Sequence, residues 1–170
     1  MSPKGPSNIV LIGMPGSGKS TVGVILAKKI SRGFVDTDVL IQTSEQRTLQ
    51  DIVDKQGYAA LRTIEEALLL RLAVQNHVIA TGGSAVYSDR AMAHLKTDGR
   101  IVFLQADLAT LEARVGDFST RGLARRSGQS FAELFEERLA LYNKHADITI
   151  PCAGTAQEAV CDKIMERINT

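Results

Sequence analysis

The 170-residue sequence has few of the residues that stabilise small secreted domains or membrane segments. It contains two cysteines, Cys152 and Cys161, without a C-x-x-C pair, so we expect reduced structural thiols and a cytoplasmic location. No apolar run approaches the ~18 residues that a membrane span requires. Residues 1–7 lack the apolar core of a signal peptide, which predicts a short, loose lead-in to the domain.

An excess of charge of one sign is also missing. The 20 Lys and Arg and 19 Asp and Glu leave a formal net charge of +1, whereas general nucleic-acid binders usually carry a basic excess. The apolar content of 44% is ordinary for a globular protein. We therefore expect a single monomeric domain over residues 1–170, with neither nucleic-acid nor membrane partners. The three histidines show no metal-ligand spacing, so we expect ordinary structural histidines.

The most informative stretch joins an apolar strand to a phosphate-binding loop. Residues 8–12 suit a strand buried on both faces, and residues 13–20 then read G-x-x-x-x-G-K-S. The glycines allow consecutive backbone N–H groups to surround an anion, and the helix that follows points its N-terminus at the same anion. Lys19 is placed to neutralise the outer phosphates, and the Ser20 hydroxyl is a Mg²⁺ ligand. The stretch predicts binding of a nucleoside triphosphate with Mg²⁺.

Short apolar runs alternate with helical patterns along the rest of the chain. Strands are expected near residues 33–35, 77–80, 100–104 and 148–150. Helices are expected over residues 22–30, 58–75, 88–95, 107–114 and 131–144, after Thr48, and from 155 onward. Capping boxes at 130–133 and 155–158 mark the starts of the last two helices. This alternation predicts an α/β fold in which helices cover both faces of a parallel sheet.

Four polar segments follow expected strands. Ligands of parallel sheets gather beyond the carboxyl ends of the strands, so we expect these segments to share one edge. The segments are residues 13–21, 36–38, 81–84 and 151–154.

Several residues near these strand ends have both a functional and an ordinary interpretation. Asp36 and Asp38 suit a metal shell and a substrate hydroxyl, but Asp is also common in solvated turns. Arg62 and Glu65 share a helix face, either as a surface ion pair or as an anion-binding arginine held by Glu65. The Gly82-Gly83 pair fits close backbone approach to a ligand or a plain turn.

The segment 116–128 is polar, arginine-rich and punctuated by glycine. It fits an ordinary loop. In a phosphate-transfer protein it also fits a lid that excludes water and delivers an arginine to the developing charge.

The ordered combination of these motifs resembles the shikimate kinase family from Asn8 to about Ile168. The matching elements are GMPGSGKST at 13–21, DTD at 36–38, LRTIE at 61–65, TGGS at 81–84, RGL at 121–123 and RLALY at 138–142. The resemblance implies a P-loop, nucleoside-monophosphate-kinase-like fold with three α/β/α layers, a five-stranded parallel sheet in order 2-3-1-4-5 and a mobile lid over 116–128. It also implies transfer of the γ-phosphate of ATP to the 3-hydroxyl of shikimate, in aromatic amino-acid (chorismate) biosynthesis.

On the nucleotide side, the resemblance implies particular roles in binding ATP and Mg²⁺. Lys19 contacts the phosphates. Ser20 ligates Mg²⁺, and Asp36 matches the family's outer-sphere magnesium aspartate. Arg114 falls where the family has an arginine that stacks on adenine. The implied ATP-binding set is Gly13, Gly16, Ser17, Gly18, Lys19, Ser20, Thr21 and Arg114.

On the substrate side, the resemblance implies a site for shikimate. Asp38 matches the aspartate that holds and polarises the hydroxyl. Arg62 and Arg138 match the pair that clamps the carboxylate, with Glu65 as the supporting glutamate. The implied substrate-binding set is Asp38, Arg62, Gly82, Gly83, Ser84 and Arg138.

The implied catalytic residues are Lys19, Asp38 and the lid arginine, Arg121. The chain departs from the family pattern at four positions, where the family usually has Phe, Gly, Pro and Pro: Leu61, Ser84, Gly122 and Ala140. Gly122 is expected to loosen the lid if its backbone angle would suit proline. A kinase of the same fold acting on gluconate or a nucleoside monophosphate, and a non-catalytic nucleotide-binding protein, are the alternatives.

Overall fold

Five parallel strands form the sheet, in the order β2-β3-β1-β4-β5 that the resemblance implied. The structure, a computed structural model, describes residues 5–170 apart from the side chain of Ser119, so residues 1–4 of the expected lead-in lie outside it. The strands are β1 Asn8–Ile12, β2 Gly33–Asp36, β3 His77–Ala80, β4 Gly99–Gln105 and β5 Ile148–Pro151. β1 lies at the centre, where Ile9 is in register with Val78 of β3 and Arg100 of β4.

Seven α-helices connect these strands in the described part of the chain, and an eighth follows β5. They are α1 Lys19–Lys29, α2 Thr37–Glu45, α3 Leu49–Gln56, α4 Tyr58–Arg71, α5 Asp89–Thr97, α6 Leu108–Val115, α7 Phe131–His145 and α8 Gln157–Ile168. Three expected N-caps are confirmed: Thr48, Asp107 and Ser130 accept from backbone N–H groups at 3.1, 2.7 and 3.0 Å. No helix within residues 5–170 is long and apolar enough to cross a bilayer.

At two helix boundaries the difference from expectation has a physical cause. α4 ends at Arg71 rather than near Gln75, because the extended Leu72 turns the chain towards β3 and packs against the core. The expected capping box at Thr155 is wrong. Its hydroxyl donates to the Ala153 carbonyl at 3.4 Å, and α8 begins after Ala156 without a side-chain cap.

The sheet separates two apolar clusters, as the pattern of buried strands predicts. In β1, Val10 and Ile12 face the cluster that includes Leu69, Met92 and Phe131. Ile9 and Leu11 face the other cluster, and its buried members on α1 and α8 are Val22, Leu26, Ala27, Val160, Cys161 and Ile164. Both cysteines are buried and free, which confirms the expected structural thiols. Helices therefore cover both faces.

A third, smaller apolar cluster lies beside the sheet. It joins α2, α3 and α4 to Ala124 of the segment 116–128. Its buried members are Ile41, Ile52, Leu61, Leu68 and Ala124. The third cluster therefore gives the arginine-rich segment an apolar anchor that its composition does not suggest.

Candidate active site

A cavity of about 390 Å³ lies beyond the carboxyl ends of β1, β2 and β3. The phosphate loop, Asp38 and the turn 81–84 all line it, together with residues of 121–124 and Arg138. All strand pairs are parallel, so the segment 151–154 after β5 lies at the same carboxyl edge of the sheet, as expected. It is not among the residues that line the cavity, because β4 separates β5 from β1.

The phosphate loop holds its lysine by its own backbone. Gly18 adopts φ 95°, a left-handed angle that favours glycine, and ends the loop at the start of α1. The Lys19 ammonium donates to the carbonyls of Gly13 and Met14 at 2.7 and 2.9 Å. Burial lowers the pKa of Lys19 to about 8, although the nearby Asp38 carboxylate acts in the opposite direction. An anion in the loop would give this buried cation a partner.

Other groups of the loop also fit an anionic ligand. The Ser17 hydroxyl is buried and has no hydrogen-bond partner in the described part of the chain. Thr21 lines the same cavity from the first turn of α1. The Arg114 guanidinium is exposed at the end of α6 and donates to the Gly16 carbonyl at 3.2 Å. The structure thus brings the expected nucleotide-side residues to one loop, with Arg114 at its outer margin.

The expected metal pair meets at the end of β2. The Ser20 hydroxyl donates to Asp36 Oδ2 at 2.6 Å. Asp36 Oδ1 accepts from the N–H groups of Asp38 and Val39 at 3.0 and 3.3 Å, so it also caps α2. A hydroxyl and a carboxylate at the mouth of a phosphate loop are the oxygen donors that Mg²⁺ prefers, and these residues therefore fit the ion.

Asp38 and Glu65 form an acidic centre on either side of Gly82. A Cβ atom on Gly82 would clash with both carboxylates, so a larger residue there would displace them. Burial, with a further contribution from Asp36, raises the pKa of Asp38 above its usual range against the effect of Lys19. Burial and the Asp38 charge raise the pKa of Glu65 to about 7. A carboxylate with a raised pKa is a stronger proton acceptor.

Glu65 has a different partner from the one expected. Ser84, where the family usually has glycine, donates its hydroxyl to Glu65 Oε1 at 2.5 Å. Within residues 5–170, Arg62 instead contacts the Ala124 carbonyl and the rings of two tyrosines. Arg62 and Glu65 therefore form no surface ion pair, and Glu65 does not hold the arginine; binding of an anion by Arg62 stays a prediction.

Arg62 and Arg138 converge on one oxygen atom. Their Nη2 atoms donate to the Ala124 carbonyl at 3.3 and 3.1 Å. Arg138 is fully buried and lines the cavity, and a Cβ atom on Gly83 would lie 2.6 Å from its Nη1. Two guanidinium groups around one acceptor form a clamp for an anion, and charge-assisted bonds to a carboxylate are stronger than bonds to a carbonyl.

Two tyrosines that the sequence analysis did not assign to the site also lie here. The ring centroid of Tyr87 lies 3.5 Å from Arg62 Cζ and 5.5 Å from Arg138 Cζ. The Tyr142 hydroxyl donates to the Gly83 carbonyl at 2.7 Å. Tyr142 belongs to the RLALY motif and could have been found there. Tyr87 carries no motif, and only its position three residues after the 81–84 turn points to it.

The segment 116–128 lies against the cavity. Arg121 is exposed and lines it. The Gly122 N–H donates to Gln50 Oε1 at 2.5 Å, and a Cβ atom on Gly122 would lie 2.6 Å from the Leu49 carbonyl carbon. Gly122 has φ 59°, which proline cannot adopt, so the looser lid expected from this substitution does not follow.

Comparison with known proteins identifies close relatives. The family model for shikimate kinase matches residues 15–169. The shikimate kinase of Rippkaea orientalis is 39% identical over 96% of this chain and 88% of its own length. That of Persephonella marina is 35% identical over 95% of this chain and 98% of its own length.

Solved structures give the same result. The shikimate kinase of Acinetobacter baumannii in complex with shikimate superposes with a TM-score of 0.89 at 31% identity, covering 98% of this chain and 94% of that chain. The enzyme from Aquifex aeolicus superposes with a TM-score of 0.82 at 32% identity, covering 95% and 96%.

Proposed function

The chain belongs to the shikimate kinase family, and we propose that its cavity transfers the γ-phosphoryl group of ATP to the 3-hydroxyl of shikimate. One observation carries the proposal at the level of residues. The phosphate loop, the half-buried Asp38 and Arg138 line one cavity, and Arg62 meets Arg138 at the Ala124 carbonyl beside it. This arrangement matches a substrate with a hydroxyl at one end and a carboxylate at the other.

The nucleotide occupies the phosphate-loop side. Lys19 leaves the carbonyls of Gly13 and Met14 for the outer phosphates, and the buried Ser17 hydroxyl donates to a phosphate oxygen. Ser20 and Asp36 would hold Mg²⁺, which neutralises charge on the phosphates when bound. Arg114, at the outer margin of the loop, lies on the side where the adenine would stack.

Shikimate occupies the opposite side. Its carboxylate replaces the Ala124 carbonyl between Arg62 and Arg138, and the ring then extends towards Asp38. Asp38 accepts the proton of the 3-hydroxyl while that oxygen bonds to the γ-phosphorus and the bond to ADP breaks. The turn 82–84 packs against the substrate, because the glycines leave room between the acidic centre and Arg138.

The segment 116–128 acts as a lid. Ala124 connects it to the carboxylate site, so arrival of the substrate carboxylate changes the contacts that hold the segment. Arg121 then reaches the transferring phosphoryl group, where negative charge spreads in the transition state. Closure also excludes water, which would otherwise compete with the substrate hydroxyl.

An ADP-release assay tests this function. Wild-type protein is given ATP and Mg²⁺ with shikimate, gluconate or a nucleoside monophosphate, and Lys19→Ala serves as the control for contaminating kinases. Of the three acceptors, we expect turnover only with shikimate. Turnover with gluconate or a nucleotide would favour another kinase of the same fold, and no turnover with any acceptor would favour a non-catalytic nucleotide-binding protein.

The remaining properties follow from composition. We propose a cytoplasmic monomer without nucleic-acid or membrane partners, because the chain has reduced thiols and nearly balanced charge. Light scattering coupled to gel filtration tests the monomer, for which the mass should be close to 18.4 kDa.

A further inference from the structure

We infer that Tyr87 is the positioning residue that holds Arg62 and Arg138 ready for a carboxylate; this inference rests on the proposed function. Its ring lies against both guanidinium groups, with the centroid 3.5 Å from Arg62 Cζ and 5.5 Å from Arg138 Cζ. Its hydroxyl also accepts from Arg138 Nε at 3.4 Å. Tyr87 therefore links two arginines that come from different helices.

The backbone keeps the Tyr87 ring in this place. Residues Ala85–Tyr87 form a 3₁₀ turn directly after the 81–84 segment, in which the Tyr87 N–H donates to the Ser84 carbonyl at 3.2 Å. Ser88 then caps α5 through the Ala91 N–H at 3.0 Å. The ring is thus fixed between α4, which carries Arg62, and α7, which carries Arg138.

The chemistry of a ring suits a guanidinium that must bind a substrate anion. The Arg62 Nε atom is buried without a hydrogen-bond partner in the described part of the chain, and Arg62 Nη2 donates only weakly, at 3.3 Å, to Ala124. A carboxylate partner would neutralise Arg62 and compete with the substrate. The face of an aromatic ring attracts the cation but leaves its N–H groups free for another acceptor.

Tyr58 provides a matched comparison. Its ring also lies over Arg62, but its centroid is 5.1 Å from Cζ, and in the described part of the chain the ring does not stack on Arg138. Tyr58 is the first residue of α4, whereas Tyr87 comes from a separate turn. Loss of the Tyr87 ring should therefore disturb both arginines, and loss of the Tyr58 ring should disturb Arg62 alone.

Steady-state kinetics with two acceptors test the inference. The acceptors are shikimate and its analogue in which the carboxylate is reduced to a hydroxymethyl group. Tyr87→Leu should raise KM for shikimate about tenfold, as expected for loss of a partly desolvated cation–π contact. KM for ATP should stay unchanged and kcat should stay within about threefold, because the phosphate loop and Asp38 are untouched. The preference for shikimate over the analogue in kcat/KM should fall by about the same tenfold.

Other variants make the result specific. Tyr87→Phe keeps the ring and should retain near-normal KM, whereas Tyr58→Leu should raise KM less than Tyr87→Leu does. Tyr87→Met replaces the ring at similar volume and should reproduce Tyr87→Leu, which covers the case in which the leucine variant folds poorly. Thermal unfolding of each variant identifies a general loss of stability.

Two outcomes would overturn the inference. One is an unchanged preference for the carboxylate in both Tyr87→Leu and Tyr87→Met, and the other is an equal rise in KM for ATP. If the wild-type protein uses shikimate and the Tyr87 variants give either result, only the role of Tyr87 is contradicted. Wild-type protein that does not use shikimate, or uses the analogue equally well, contradicts the proposed function itself.

Discussion

The two ends of the cavity hold their cationic side chains by different means. At the nucleotide end, Lys19 and the carbonyls that bind it belong to one stretch of chain, residues 13–19. At the carboxylate end, Arg62 and Arg138 come from α4 and α7, and the carbonyl that they share comes from the segment 116–128. The nucleotide end is therefore a local structure, whereas the carboxylate end depends on the packing of three distant segments.

This difference predicts how each end responds to change. A local loop keeps its shape when a distant residue is altered, because its hydrogen bonds are made within the loop. A site assembled from separate elements changes when any one of those elements moves. Substitutions at the carboxylate end should therefore weaken shikimate binding and leave ATP binding unchanged, while substitution of Asp38 between the two ends should slow the chemical step.

The largest effect is expected at Asp38, which lies between the two ends. Asp38→Asn keeps the shape of the side chain but removes its charge and its capacity to accept a proton. We expect kcat to fall ~10²-fold or more, the usual range for loss of a general base. Both ligands should still bind, which calorimetry with an ATP analogue and with shikimate measures. Normal turnover in this variant would rule out the assigned role.

The next largest effect is expected at the arginine pair. Arg62→Ala leaves a substrate carboxylate half-paired, and it should weaken shikimate use by more than about tenfold, because charge-assisted hydrogen bonds are the stronger class. The affinity for ATP should be nearly unchanged, since Lys19 and its loop do not depend on α4. Arg114→Ala, at the nucleotide end, is the matched control and should show the opposite selectivity. An equal loss of ATP affinity in Arg62→Ala would contradict the division of the cavity into two ends.

The same contrast explains what could be predicted from the sequence. The phosphate loop and the strands follow from short local patterns, whereas the sheet order and the place of Asp36 beside Ser20 followed from the resemblance. The partner of Glu65 did not follow, because Ser84 is 19 residues away and is brought near by the fold. The role of Tyr87 and the end of α4 were also missed, since tertiary packing decides both. The angle of Gly122 could not be predicted either, because contact with α3 imposes it.

A smaller effect is expected at Arg121, the exposed arginine of the proposed lid. Charge spreads over the phosphoryl group in the transition state, so Arg121 should matter more there than in the ground state. Arg121→Ala should lower kcat about tenfold, corresponding to one charge-assisted hydrogen bond of roughly 1.5 kcal/mol. The dissociation constant of ATP should change much less. Arg126→Ala, in the same segment but paired with Glu137 at 3.6 Å, is the control.

Amide exchange distinguishes a lid from a fixed loop at the same segment. Exchange across residues 116–128 should be slower with an ATP analogue plus shikimate than in the free protein, because the bound state adds a partner for Arg121. The amide of Gly122 is the exception to follow, since it already donates to Gln50. Protection that is complete throughout the segment without ligand would show that it does not open.

The smallest effect is expected at Ser84, which takes the place of the family's third glycine. Its φ of −91° is ordinary for any residue, so the serine adds a hydroxyl without backbone strain. Burial raises the pKa of Glu65 to about 7, whereas the Ser84 hydrogen bond lowers it. The hydroxyl therefore favours the ionised carboxylate, which is the main form only above that pKa.

Ser84→Ala should for this reason cost more at high pH than at low pH. We expect a loss of about 0.5 kcal/mol in the free energy of unfolding at pH 5 and about 1 kcal/mol at pH 8, because bonds to charged acceptors are stronger. The sign follows from linkage. The folded pKa of Glu65 lies above its unfolded value, so the carboxyl loses folding stability as pH rises through that interval, and Ser84 offsets part of the loss. Urea unfolding of wild type, Ser84→Ala, Glu65→Gln and the double variant measures the effect of the Glu65 carboxyl and that of the Ser84 hydroxyl on the free energy of unfolding. In the Glu65→Gln background the effect of Ser84→Ala should no longer depend on pH. In protein that retains Glu65, an equal loss of unfolding free energy at pH 5 and pH 8 would show that the serine acts by packing and that its hydroxyl does not favour the ionised carboxylate.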